Sequence, residues 1–179
     1  MDSSIETITL AGGCFWCLEA VYEQVQGITA LESGYSNGQV DNPSYEAVCA
    51  ERTGHAEVVR VSFDTRLISL RQVLEIFFVI HDPTTLNRQG NDTGTQYRSG
   101  IYFQNPGQER IAREVIAEAN EHSRARFVTE VLPQANYWRA DDEHQHYYAK
   151  HPNQGYCMFV VYPKVEKFRR TFKSLLRVA

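Results

Sequence analysis

From Ile5 the chain alternates apolar and polar positions through IETITL, a period of two that predicts a strand ending at Gly12 and Gly13. The period then changes. In FWCLEAVYEQVQG the apolar residues fall at helical spacing, which predicts a helix running to Gly27 and places Cys14 at its N-terminus. ITALESGYS and AEVVRVSFD return to strand patterning, LISLRQVLEIFFVIH reads as an amphipathic helix that stops before Asp82-Pro83, and GIYFQ reads as a short strand. NPGQERIAREVIAEANEHSR opens with Asn105 as N-cap and Pro106 in the first helical position, predicting the longest helix, and FVTEVL follows as a strand. The order strand, helix, strand, strand, helix, strand predicts an α+β fold: a split β-α-β arrangement with helices on one side of a mixed or antiparallel sheet. Two polar segments, 82–99 and 141–157, fall outside this pattern. Long loops of that kind in a compact domain tend to carry function.

A chain of 179 residues suits one domain, here taken as 1–179, and 42% hydrophobic with 22% charged residues leaves no reason to invoke disorder. The formal net charge of -4, with no basic stripe, argues against a nucleic-acid partner. The longest apolar run, VLEIFFVI, contains Glu75 and is too short to span a bilayer, and the N-terminus has no basic stretch followed by an apolar run. The expected location is therefore the cytoplasm, without membrane contact. Because thiols are kept reduced there, the four cysteines point to redox chemistry or a metal rather than to static disulfides.

The stretch LAGGCFWCLEA concentrates that chemistry. A thiol at a helix N-terminus meets the positive end of the macrodipole, which favours thiolate and makes Cys14 a candidate nucleophile. Cys17 lies on the same helix face, at the C-x-x-C spacing of redox pairs, and Phe15 and Trp16 could wall an apolar pocket beside the sulfur. In TGHAEVV, Glu57 follows the Gly54 turn at a strand start; desolvated against aromatic rings it would hold its proton near neutral pH and act as an acid. A thiolate beside a neutral carboxylic acid suits attack on a heteroatom whose oxygen must be protonated to leave, and a sulfoxide qualifies.

GGCFWCLEA, GYSNG, NPSYEAVC, TGHAEVV, HDPTTLNRQGNDTGTQYRS and HPNQGYC, spread from Gly12 to Cys157, together resemble the peptide methionine sulfoxide reductases of the A type. The resemblance implies a ferredoxin-like two-layer α/β sandwich core with long active-site loops and a C-terminal coil. It implies methionine S-sulfoxide, free or protein-bound, as substrate, no metal or organic cofactor, and thioredoxin as external reductant; a monomer is expected. Carried onto this chain, it makes Cys14 the nucleophile, has Phe15 and Trp16 receive the substrate methyl group, and makes Glu57 the acid. Tyr45, Asp92 and Tyr97 then line the site, and Cys157 matches a recycling cysteine. The chain departs from the pattern at Cys17, where many relatives carry glycine, and in CAERTGHAE, which differs from the commoner small-residue turn. No further cysteine follows Cys157.

Two thiols can therefore resolve a sulfenic acid on Cys14. Cys17 is near in sequence, but a rigid helix start resists disulfide geometry. Cys157 follows Gly155 in a polar segment that reads as a mobile coil able to swing over the site, so the first disulfide is expected between Cys14 and Cys157. Blander readings accompany these. Cys49 reads as a buried small hydrophobe, and His144, His146 and His151 as solvated or hydrogen-bonded loop residues. Two other classes remain open: a zinc module closed by Cys14, Cys17, Cys49 and Cys157, weakened by its single C-x-x-C, and a general thiol–disulfide oxidoreductase, which needs neither Glu57 nor an aromatic pocket.

Overall fold

The structure, a computed structural model, describes residues 4–178. Strand β1 (Ile5–Ala11) leads into helix α1 (Phe15–Tyr22), followed by β2 (Ile28–Ser36), a short α2 (Tyr45–Cys49), β3 (Ala56–Asp64) and α3 (Leu70–Ile80). A small hairpin, β4 (Arg88–Gln89) and β5 (Asp92–Thr93), precedes β6 (Gly100–Phe103), α4 (Pro106–His122), β7 (Glu130–Pro133), β8 (Trp138–Arg139), α5 (Tyr147–Lys150) and α6 (Tyr162–Thr171). The main sheet has the order β7-β6-β1-β3-β2-β8 and is antiparallel except for the parallel pair β6–β7. It is a mixed sheet, with helices packed against it.

Strand alternation decides which face is covered. Ile8 and Leu10 of β1 and Val59, Val61 and Phe63 of β3 point one way and join Leu18 and Val21 of α1, Val73 and Phe77 of α3, and Val165 and Phe168 of α6 in one core. On the opposite face only a small cluster, Ala11, Ala56, Val58 and Tyr102, is sealed by Tyr137. The Tyr137 hydroxyl donates to Glu32 at 2.6 Å and the Arg60 guanidinium lies 4.9 Å from its ring centroid, so loop residues rather than helices close that side.

Most predicted elements form, with shifted ends. Asn105 caps α4 by accepting from the Gln108 amide at 3.0 Å, and Pro106 occupies its first turn. Helix α3 begins two residues after Ile68 because Ser69 and Gln72 form a reciprocal capping box. Helix α1 stops at Tyr22 rather than Gly27, since Val25 forms a β-bridge with Leu176 and the Gln26 amide donates to Leu175 at 2.8 Å. FVTEVL shortens to β7 because the Val128 amide turns away to the Pro83 carbonyl at 2.7 Å.

The largest correction concerns the C-terminal segment, which is helix and not coil. Helical backbone begins at Gly155, passes through a π-helical turn at Cys157–Val161 and continues as α6. Cys157, Val161, Val165 and Phe168 recur at spacings of four, four and three and are all buried, so one apolar stripe docks the segment onto α1 and α3. Burying side chains such as Val165 and Phe168 is worth about 1.5 to 3 kcal/mol each, which outweighs the helix-weakening effect of Gly155. No helix among the described residues is long and apolar enough to cross a membrane.

Candidate active site

Two glycines set the position of Cys14. Gly13 adopts φ +88°, and a Cβ there would lie 2.8 Å from Cγ of Gln89; at Gly12 it would lie 2.9 Å from Cε1 of Phe77. The turn after β1 can therefore press directly onto α3 and the 82–99 loop. Gln89, buried in β4, braces that loop by accepting from the Asp82 amide at 2.8 Å and donating to the Asp82 carbonyl. Cys14 emerges as the residue preceding α1, facing a loop that brings Asp92 and Tyr97.

Glu57 comes from the other side. It is the second residue of β3, opposite Tyr35 of β2, and shares the helix-covered face with Val59 and Val61. His55 fixes the preceding turn: its Nδ1 accepts from the Gly38 amide at 3.0 Å, tying GYSNG to TGHAE. Glu57 is only 1% exposed; its Oε1 accepts from the Phe15 amide at 3.2 Å and its Oε2 has no hydrogen-bond partner. Burial raises its pKa to about 8 against the opposing pull of the Phe15 amide, with the Asp92 and Cys17 charges adding to the rise. At neutral pH the group is a carboxylic acid with one oxygen free.

The two thiols form a hydrogen-bonded buried pair. Burial, the Cys17 contact and the Glu57 charge push Cys14 up, overriding the helix-terminus effect expected from its position. Cys17 moves the other way, to about 7, drawn down by the hydrogen bond from Cys14 and by the Lys164 charge against its own burial. The pair titrates as a unit: the S–H···S bond eases loss of the first proton, and burial opposes loss of the second. Cys14 sits in extended conformation just before the helix, and its thiol meets that of Cys17.

Aromatic rings close over the thiols. Trp16 stacks on Tyr147 with centroids 3.6 Å apart and meets Tyr156 edge-on at 5.8 Å. Phe15 is fully buried against Tyr35 and His144, so of the predicted pair only Trp16 retains accessible surface. Tyr45, opening α2, packs on His144 at 4.4 Å. Burial, followed by the Glu57 charge, raises the Tyr45 and Tyr97 pKa values, so both are phenol donors. Cys14, Phe15, Trp16, Cys17, Tyr45, Glu57, Asp92 and Tyr97 therefore converge.

Three neighbours were not singled out from sequence as site residues. The Tyr156 hydroxyl donates to Asp92 Oδ2 at 2.6 Å and also lies against Cys17. Tyr147 stacks on Trp16 as described, and His144, expected in solvent or hydrogen-bonded, is 5% exposed with neither ring nitrogen hydrogen-bonded; burial lowers its pKa and keeps it neutral. The signal was the three-residue spacing of His144 and Tyr147, and the adjacency of Tyr156 to Cys157. Cys157 is buried on its helix, its pKa raised by burial and by the Cys17 charge, so it belongs to the Cys17 side of the cluster. Cys49, expected to be buried, is exposed on α2, and among the described residues no set of three cysteines converges to metal-binding distance, which removes the geometric basis of a four-thiolate zinc site.

Comparisons with known proteins agree with this geometry. Residues 6–176 match the family model described as peptide methionine sulfoxide reductase. The chain is 51% identical over 174 residues to peptide methionine sulfoxide reductase MsrA of Saccharolobus solfataricus, covering 97% of this chain and 98% of that protein. Among solved structures it resembles Mxr1 of Saccharomyces cerevisiae in reduced form, with a TM-score of 0.81 and 34% identity over 88% of this chain and 91% of that one. Mxr1 in complex with Trx2 matches with a TM-score of 0.57 and 26% identity, covering 82% and 87%.

Proposed function

The chain belongs to the peptide methionine sulfoxide reductase family, and from that premise we propose how its own residues reduce the S-sulfoxide of methionine, free or in proteins. The observation that carries the assignment is the buried, protonated Glu57 beside Cys14, with Oε2 free to face a substrate oxygen. Trp16, with Tyr147 and His144 behind it, forms the apolar wall for the substrate methyl group, and Phe15 backs that wall from the core. Tyr45 and Tyr97 donate hydrogen bonds to the sulfoxide oxygen, and Asp92 orients Tyr156.

With Glu57 neutral, one of the charges that oppose Cys14 ionisation is absent, and Cys17, the lower-pKa member of the pair, accepts the Cys14 proton as that sulfur attacks. The Cys14 sulfur attacks the sulfoxide sulfur while Glu57 protonates the sulfoxide oxygen, giving a Cys14–sulfur adduct; the oxygen then passes from the substrate sulfur to the Cys14 sulfur as the new sulfur–sulfur bond breaks, releasing the thioether and leaving Cys14 as sulfenic acid. Two electrons pass from the thiol to the sulfoxide. Cys17, already in contact, attacks the Cys14 sulfur, forming Cys14–Cys17 and releasing water. Cys157 then exchanges with Cys17, freeing Cys14, and thioredoxin reduces the relayed disulfide; the solved complex of Mxr1 with Trx2 supports that reductant.

The same reading extends to the architecture. The order β6-β1-β3-β2, with every neighbour antiparallel, supports a ferredoxin-like split β-α-β core, and the shared core of sheet and helices supports a single catalytic domain.

The test of this route is peptide mapping after one equivalent of methionine sulfoxide without reductant. Cys14–Cys17 is expected first, in wild type and Cys157→Ser alike, and Cys17–Cys157 later in wild type alone. A first bond between Cys14 and Cys157 that forms as quickly in Cys17→Ser would contradict the sequence of steps.

A further inference from the structure

Beyond the thiols, Glu19 of α1 and Glu23, four residues on at the helix C-cap, face the same side, where they meet His146 of the 141–151 segment. His146 Nδ1 lies 2.6 Å from Glu23 Oε1, and one ligand atom from each of the three residues falls within 4.8 Å of the others. Glu19 is 1% exposed, and neither of its carboxylate oxygens has a hydrogen-bond partner. The amides of His146 and Tyr147 favour its charged form without reaching hydrogen-bond geometry. A buried carboxyl group left in this way is costly unless something compensates it. Burial, reinforced by the Glu23 charge, raises its pKa to about 7, while His146 and the two amides oppose the rise.

We infer that Glu19, Glu23 and His146 form a binding site for a divalent first-row transition-metal cation of the zinc type. Two carboxylates and one imidazole are a borderline-hard donor set, and three protein donors leave a fourth position for water. Donor atoms around tetrahedral zinc, with bonds of about 2.0 to 2.1 Å, stand roughly 3.3 Å apart. Binding therefore opens the 2.6 Å His146–Glu23 pair toward that separation and draws Glu19 in by at most about 1.5 Å from the 4.8 Å limit. The exposed His146 ring can supply that movement. Because Tyr147 follows His146 in the chain and stacks on Trp16, the bound cation ties the pocket wall to α1. The site is separate from the thiols and stands whether or not the sulfoxide chemistry is as proposed.

The test uses Co2+ and Zn2+ alone on the reduced, full-length protein near pH 7.5. Co2+ is expected to bind at one equivalent with weak d–d absorption and no intense sulfur-to-cobalt charge-transfer band. His146→Ala and Glu23→Gln, both outside the catalytic cluster, should each weaken binding by about tenfold or more. Zn2+ should raise the Tm of wild type and not of those variants. Equal affinity in wild type and variants, a charge-transfer band from the thiols, or no saturable binding in wild type would each overturn the inference.

Discussion

Cys14→Ser is expected to bring sulfoxide reduction below detection while leaving the fold intact. The hydroxyl ionises far less readily than a thiol at neutral pH and is a much weaker nucleophile toward sulfur, and it cannot pass through the sulfenic acid that the second cysteine resolves. The fold should tolerate the change because Cys14 is the N-cap of α1 and makes no side-chain cap bond, a position at which serine is among the preferred residues. Single-turnover methionine formation, measured beside a thermal melt, separates the two effects. Appreciable product from a well-folded Cys14→Ser protein would remove Cys14 from its role and leave the pair without its attacking sulfur.

Glu57→Gln is expected to slow the sulfoxide step by about a hundred- to ten-thousand-fold, the range for loss of general acid catalysis, with little effect on binding. Glutamine keeps an acceptor for the Phe15 amide and can donate to a bound oxygen, but it cannot give up a proton to it. The pH profile carries the diagnostic detail. The wild-type step should weaken as pH rises through about 8, where Glu57 loses its proton, and that limb should vanish in the variant. Stability moves in step. The folded pKa of about 8 exceeds the ordinary 4.5, so the protonated group's contribution is complete below about 4.5 and is lost as pH climbs toward 8. Glu57→Gln should therefore flatten the fall of Tm between those values. A variant that reduces sulfoxide at the wild-type rate across neutral pH would assign the proton to another donor, with Tyr45 and Tyr97 in reach.

The strands from Ile5, Ile28 and Ala56 were legible because alternation and the bounding glycines agree, and α4 because Asn105-Pro106 is a strong start signal. The cysteine, aromatic and acidic residues of the site were legible as motifs. Their energetics were not. A helix-terminus argument lowers the Cys14 pKa, yet burial reverses it, and burial is a tertiary property that no local window contains. Gly155 weighed too heavily against the buried stripe from Cys157 to Phe168, which the structure shows as helix. His144 and Tyr156 reached the site only because the fold lays residues 141–157 over α1, a contact without a sequence-local cause.

The most direct test of the central claim, that Cys14 takes oxygen from a sulfoxide with Glu57 as the acid, is single turnover on separated methionine sulfoxide epimers without external reductant. Methionine and protein mass are read from the same samples. The S epimer should yield at least one methionine per chain, with the protein losing the two hydrogens of a new disulfide, Cys14–Cys17 at first and Cys17–Cys157 after relay, and the R epimer should yield none. Equal methionine from both epimers, or methionine formed while all four cysteines remain reduced thiols, would contradict the account.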